Sequence, residues 1–155
     1  MRIKFNVLAW MAVAVLAFTS CKKDSNSGSN ASIVGKWNWD NNRVKYSSNA
    51  TVILDTTINA VTGEWIEFTA EGKVNTRFFD QEIDDFVVEN AVNTYSVNGS
   101  KLYLYPVGIP DPGGDNEEIF DIKTLTSNKL TLYQRDTTTN SGQDVISEVW
   151  LNLSR

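Results

Sequence analysis

The sequence predicts an all-β fold, an antiparallel barrel or sandwich of eight or nine short strands. Three observations point there. Apolar residues recur at every second position in successive stretches, the period of a half-buried strand. Those stretches are rich in β-branched and aromatic residues, and turn signals built from Gly, Asn and Asp separate them at even spacing. No stretch has a helical period, and nothing repeats at a fixed length.

The pattern opens with Ile33-Val34-Gly35-Lys36-Trp37-Asn38-Trp39. In a strand Gly35, Trp37 and Trp39 share one face and Val34, Lys36 and Asn38 the other. A glycine two before a tryptophan lets a neighbouring backbone come close while the indole plugs the core. Asp40-Asn41-Asn42 reads as a turn or irregular stretch ahead of Arg43-Val44-Lys45-Tyr46. Next, Ala50, Val52, Leu54 and Ile58 alternate with Thr51, Ile53, Asp55 and Thr57, and Asn59 to Gly63 closes that strand.

Glu64 to Thr69 and Lys73 to Phe79 are two strands joined by Ala70-Glu71-Gly72. A two-residue turn at Glu71-Gly72 sets Phe68 opposite Asn75. A three-residue loop with Gly72 at φ > 0 sets Phe68 opposite Val74 and Ile66 opposite Thr76, which keeps one face apolar and is the register expected. Asp80 to Asp85 is an acidic connector, and Phe86 to Val97 is extended, in one piece or two. Asn98-Gly99 predicts a type I′ hairpin pairing Tyr95 with Leu102, with Tyr103 and Tyr105 on the other face of the returning strand. Pro106 to Glu118, with three prolines and three glycines, is the longest loop. In Phe120 to Leu125 the apolar spacing stretches from two to three, which places a bulge near Thr124. Ser127-Asn128 turns into Leu130 to Tyr133, Thr137 to Gln143 is a polar loop, and Val145, Ser147, Val149, Leu151 and Leu153 form the core face of the last strand.

Composition excludes several chemistries. The 155 residues contain one Cys and no His. That removes disulfides within one chain, His- or Cys-based zinc sites, and Ser-His-Asp or Cys-His catalysis. No cofactor is implied. The first residues read as a leader: Arg2 and Lys4 form a positive region, Val7 to Phe18 an apolar one too short to span a bilayer with ease, and Thr19-Ser20-Cys21 follow. Phe18-Thr19-Ser20-Cys21 resembles the lipobox of bacterial lipoproteins, in which signal peptidase cuts before the Cys and its thiol carries a diacylglycerol. The alternative is a secretory peptide with an incidental Cys. Acyl chains at about 0.8 kcal/mol per buried CH₂ would hold Cys21 on a membrane almost irreversibly. Without Arg2 and Lys4, the 14 Lys and Arg become 12 against 19 Asp and Glu, a net charge of −7. So acidic a chain has no electrostatic footprint for nucleic acid. The expected organisation is a signal peptide over 1–20, a lipidated Cys21 with a polar Ser/Asn/Gly tether over 21–32, and one β domain over 33–155.

Four stretches carry a family resemblance: Val34-Gly35-Lys36-Trp37, Trp65 to Lys73, Tyr95 to Leu102, and Leu125 to Leu132. They resemble the lipocalin-like domains of small lipoproteins from Gram-negative bacteria, calycin-type proteins of the cell envelope. The resemblance covers nearly all of the chain after Ser32. It implies an antiparallel up-and-down β-barrel of eight or nine strands, with Gly35 and Trp37 as the family's Gly-x-Trp at the closed end. It also implies an arginine packed over that Trp, for which Arg135 is the candidate. The Thr-Asp-Tyr motif of true lipocalins is absent from the sequence.

Carboxylates are the remaining catalytic candidates: Glu82, Asp84, Asp85, Asp111, Asp115, Glu117 and Glu118. A pair about 5–9 Å apart can hydrolyse glycosides, but nothing selects a pair, and no enzyme activity is expected. Asp111 to Glu118 offers oxygen ligands for Ca²⁺ without the Asp-x-Asp-x-Asp-Gly spacing that would make the site specific, so a solvated acidic loop is expected and no metal. Trp65, Phe79, Tyr103, Tyr105, Tyr133 and Trp150 fall on the face away from the core. They either cover a second packing surface or form an aromatic patch that receives a sugar, a lipid or a protein. Two functions follow. One is a non-catalytic, membrane-anchored barrel that takes a small apolar or amphiphilic ligand in its mouth, lined by Trp39, Phe68, Phe78, Tyr95 and Leu104. The other is a protein-interaction or envelope-assembly module with a filled barrel. An outer-membrane location is expected, on either face.

Overall fold

Nine antiparallel strands account for most of the chain: β1 (Gly35–Ser48), β2 (Thr51–Asn59), β3 (Trp65–Phe68), β4 (Lys73–Asp80), β5 (Asp85–Asn98), β6 (Lys101–Pro106), β7 (Glu118–Leu125), β8 (Lys129–Asn140) and β9 (Gln143–Ser154). The computed structural model describes residues 31–107, 117–140 and 142–155. The leader, Cys21, all but the last two residues of the 21–32 segment, and Asp111 and Asp115 lie outside them. The sheet order is β2-β1-β3-β4-β5-β6-β7-β8-β9, and β1 also pairs with β9. Eight strands therefore close an up-and-down barrel, and β2 is a ninth, attached outside the closure.

Strand β1 makes this possible by serving two neighbours along one edge. Gly35 to Asn38 pair with Phe68 to Trp65 of β3, and Asn41 to Ser48 pair with β2. Its other edge follows β9 from Asn38↔Ser154 to Ser48↔Val145. The turn considered at Asp40-Asn41-Asn42 is absent. A bulge falls there instead, between Trp39↔Leu153 and Asn41↔Asn152. Its polar groups are satisfied across the sheet: Ser154 Oγ donates to Asp40 Oδ1 at 2.7 Å, and Asn152 Nδ2 donates to Asn41 Oδ1 at 2.9 Å. These cross-strand partners let a turn-like sequence stay extended.

Several registers agree with the sequence and three do not. Phe68 faces Val74 and Ile66 faces Thr76, with Gly72 at φ 77° in the loop. The β7 irregularity lies between Ile122 and Thr124. Phe86 to Val97 belong to one strand, broken by a bulge between Val74↔Asn93 and Thr76↔Glu89, where Asn75 Oδ1 accepts from the Ala91 amide at 2.8 Å. The β5–β6 hairpin is shifted: Asn98 pairs with Lys101 and Tyr95 with Leu104, so the loop is Gly99-Ser100. Gly99 alone has φ > 0 there, at 61°, the glycine-first pattern of a II′ turn rather than the I′ turn of Asn-Gly. The polar loop expected over Thr137 to Gln143 is mostly strand, with Thr137↔Ile146 through Asn140↔Gln143 paired, because β-branched threonines suit an extended ribbon. Ala50, placed in a strand by its alternation, sits in the β1–β2 turn between Ser48↔Thr51, with φ 46° at Asn49 and 65° at Ala50. A Cβ in that region costs about 1–2 kcal/mol. Ala50→Gly is therefore expected to stabilise the domain by about 1 kcal/mol and to raise its melting temperature by about 4 °C in a calorimetric scan.

The core fills the end of the barrel where β1 begins. Trp37, Phe68, Val74, Leu102, Leu130, Leu132 and Leu153 are the largest fully buried side chains. The Trp37 indole N–H donates to the Ile33 carbonyl at 2.8 Å. Its ring is covered by the Arg155 guanidinium, whose Cζ lies 4.0 Å from the centroid. Arg155 also donates to the carbonyls of Ser127, Val34 and Ser32 at 2.8, 3.0 and 3.2 Å, lacing the first and last residues of the domain together. Arg155, not Arg135, is thus the arginine over the tryptophan; Arg135 is exposed and pairs with Glu148 across β8–β9. The same contact explains Gly35. A Cβ there would lie 2.7 Å from Arg155 Nη1, and Gly35 has φ 124°. What comes close at this glycine is a side chain rather than a backbone.

Candidate functional site

At the other end the barrel wall divides. Asn38, Trp65 and Arg77 lie in one row across β1, β3 and β4. Beyond that row β1 continues to Ser48 with β2 on its flank, whereas β4 ends at Asp80 and pairs there only with β5. A second seam opens between β7 and β8. Their pairing stops at Asp121↔Tyr133, leaving Glu118 to Phe120 with β6 alone and Gln134 to Asn140 with β9 alone. The open end is therefore two leaves, β2-β1-β9-β8 and β4-β5-β6-β7, standing on a common closed base.

The seam between β2 and β4 holds a cleft of about 290 Å³. Trp39, Ile58, Val61, Phe78 and Phe79 give it apolar walls. Its frame is tied by hydrogen bonds. Trp39 Nε1–H donates to Asn42 Oδ1. The Glu64 carboxylate accepts from the Phe79 amide at 2.9 Å and from the Val61 amide at 2.8 Å, pinning the β2–β3 loop to β4. The exposed Asn59 and Gln81 add amide groups to an otherwise apolar lining. Such a site can hold a small apolar body and meet a polar group at one side.

The five residues expected to line a cavity do not stay together. Trp39 and Phe78 meet in this cleft. Phe68 and Leu104 are buried in the core below it. Tyr95 packs against that core, edge-on to Phe68 with centroids 5.1 Å apart, and its hydroxyl donates to the Thr69 carbonyl at 2.8 Å. Burial there pushes the Tyr95 phenol pKa up. Ile58 and Glu64 were not offered as cavity residues, and Phe79 was read as one of the outward rings. Their place at the cleft depends on β2 lying across the β4 seam, which no local pattern encodes.

The second seam is polar. A groove of about 350 Å³ there is lined by Lys101, Asp121, Tyr133, Arg135 and Asp136 among others. Lys101 and Lys123 hold the Asp121 carboxylate at 3.1 and 3.0 Å, with Lys123 the larger influence in lowering its pKa. The outward rings are largely covered by cations. Lys36 Nζ lies 3.9 Å from the Trp65 ring, Arg77 4.0 Å from Phe86, Lys123 4.6 Å from Tyr133 and Arg43 4.9 Å from Trp150. Phe79 meets Phe86 edge-on, and Tyr133 leans on Trp150 with centroids 5.0 Å apart. Glu148, bonded by Lys45 at 2.9 Å and by the Tyr133 hydroxyl at 2.7 Å, is held below the ordinary carboxyl range by those two bonds, Lys45 first. Of the six outward rings, Trp65, Tyr133 and Trp150 pack against cations or each other, which is the packing-surface arrangement, whereas Phe79 also lines the cleft. Glu82, Asp84 and Asp85 are exposed in and beside the β4–β5 turn. Among the described residues no group of three His, Cys, Asp or Glu is placed to hold a metal ion.

The lipocalin-like domain family matches residues 33–132. A solved lipocalin-like protein from Bacteroides uniformis ATCC 8492 is 13% identical, with a TM-score of 0.43 over 74% of this chain and 96% of that one. No curated protein matches.

Proposed function

We propose that this chain, which belongs to the lipocalin-like domain family, is a non-catalytic lipoprotein of the Gram-negative envelope that binds a small apolar or amphiphilic ligand at its open end. The observation that carries the reading is the Trp39–Phe78 cleft, apolar and accessible, above a core filled by its own side chains. At about 290 Å³ it sits at the lower edge of the usual range for ligand sites, so the ligand is small or only partly enclosed. Anchoring rests on Cys21 and the apolar run before it, with an outer-membrane destination.

Native mass spectrometry of the protein drawn from its own host's membranes in mild detergent tests both parts. Anchoring predicts a covalent acyl mass on Cys21 that survives denaturation; an unmodified Cys21 would refute it. Binding predicts a second mass, distinct from the detergent's, that denaturation removes. Phe78→Ala should weaken that binding by about tenfold or more, since a buried phenyl ring contributes about 1.5–3 kcal/mol. A protein free of any such mass would exclude the carrier reading.

A further inference from the structure

Charge is divided between the two faces of the barrel wall. Side chains alternate along each strand, so the neighbours of the buried Trp37, Ile66, Val74, Leu102, Leu130 and Leu132 face outward. By that alternation, and by the ring and carboxylate contacts of Lys123, every Lys and Arg of the strands lies on the outer face. The outward carboxylates of Asp55, Asp121 and Glu148 are matched there by Arg43, by Lys101 with Lys123, and by Lys45. Arg155 sits over Trp37 at the closed end. The inward charged residues of the strands are all acidic. Thr76 lies opposite the buried Ile66 and so faces in, and Phe78 and Asp80 follow on the same side of β4. Their partners on β5 are Glu89, Val87 and Asp85. Phe78, a wall of the cleft, therefore has Asp80 next to it on its own strand face and Asp85 and Glu89 on the diagonals across, about 7–8 Å away. Glu64 adds a carboxylate to the cleft lining itself, and no Lys or Arg belongs to that lining. Arg77, on the outer side of β4, lays its guanidinium 4.0 Å from the Phe86 ring and donates to the Gly63 carbonyl at 3.3 Å. Among the described residues none of Asp80, Asp85 and Glu89 forms an ion pair.

We infer that the cleft takes a cationic amphiphile, its alkyl part against Trp39, Ile58 and Phe78 and an ammonium-type head toward Asp80, Asp85 and Glu89. This rests on the ligand reading above and gives the chemical class of that ligand. The cleft is the site, and the carboxylates around Phe78 determine which head it accepts. An anionic head, carboxylate or phosphate, would meet only like charge on the inward face, with no cation in the lining to receive it. Apolar walls concentrate the field of a single sign of charge, which raises the local concentration of the opposite ion and excludes the like one. Asp80 and Asp85 also lie directly opposite one another, and like charges so placed destabilise a sheet. A cationic head beside Phe78 relieves that repulsion, so binding and the folded state favour each other.

The test is equilibrium dialysis of three probes that share a tail and differ in the head, octylammonium, octanol and octanoate, against the full chain in an uncharged mild detergent. Phe78→Ala protein dialysed in parallel subtracts uptake by the detergent. The expected order of affinity is octylammonium, octanol, octanoate, with the first bound about tenfold or more tighter than the last. The gap should narrow between about 0.01 M and about 1 M salt, as the Debye length falls from about 30 Å to about 3 Å. The double variant Asp80→Asn with Glu89→Gln keeps the shape of both side chains, and an unchanged circular-dichroism melt verifies its fold. It should bring octylammonium down to the affinity of octanol. Glu67→Gln removes one charge from the outer face, opposite Lys36, and should retain the order. Octanol or octanoate bound as tightly as octylammonium, an order that survives the double variant, or one lost equally in Glu67→Gln would overturn the inference and leave the carrier reading standing. If none of the three probes binds the wild type more tightly than Phe78→Ala, the carrier reading falls and this inference falls with it.

Discussion

Trp37→Ala is expected to cost about 3–5 kcal/mol, as truncation of a fully buried aromatic does. That is a large part of the total stability of a domain of this size, about 5–15 kcal/mol. The loss has three sources that converge on one ring. The indole fills the closed end with no exposure, its N–H satisfies the Ile33 carbonyl, and its face carries the Arg155 guanidinium. Urea unfolding followed by circular dichroism measures the change. Trp37→Phe, which keeps an aromatic face for Arg155 and loses the N–H, should fall between the two. If Trp37→Ala shifted stability by less than about 1 kcal/mol, the indole would not be the plug of the barrel.

Phe68→Ala should cost a similar amount, about 3–5 kcal/mol, and for a reason that bears on function. Phe68 is fully buried and stacks edge-on with Tyr95, a contact that adds about 0.5–1.5 kcal/mol to its burial. It belongs to the base of the barrel and not to the cleft. The expected result is therefore a destabilised protein that retains the ligand mass, whereas Phe78→Ala loses ligand with a smaller stability change. Denaturant unfolding and native mass spectrometry of the two variants separate these outcomes. A stable Phe68→Ala protein that had lost its ligand would place the binding site in the deep barrel instead.

How far a residue's role could be read from sequence tracks how local its causes are. The β3–β4 register was legible because only one alignment puts Ile66 and Phe68 with Val74 on an apolar face. Strand β1 was not. Asp40-Asn41-Asn42 has turn composition, and what keeps it extended is Ser154 and Asn152, more than a hundred positions away. The arginine over Trp37 was missed for the same reason. Arg135 was offered on family pattern, yet Arg155 reaches the ring because β9 returns beside β1. At the site, Trp39 and Phe78 were legible as inward apolar positions, but Phe68, Leu104 and Tyr95 share that pattern, and alternation cannot tell a filled level of a barrel from an open one.

Periodicity, β-branched content and turn chemistry, all properties of neighbouring residues, were enough to predict an antiparallel β protein of eight or nine strands, of which the structure has nine, and the lack of histidine with a single cysteine removed the common hydrolytic and zinc chemistries. Closure by β1 with β9, the lodging of β2 outside it, the two seams and the cleft beneath Ile58 were decided by tertiary structure. They depend on one edge of β1 being shared between β3 and β2. Both partners are extended, apolar-patterned segments, and only the lengths to which β1, β4 and β9 run past a common row determine which part of that edge each one takes.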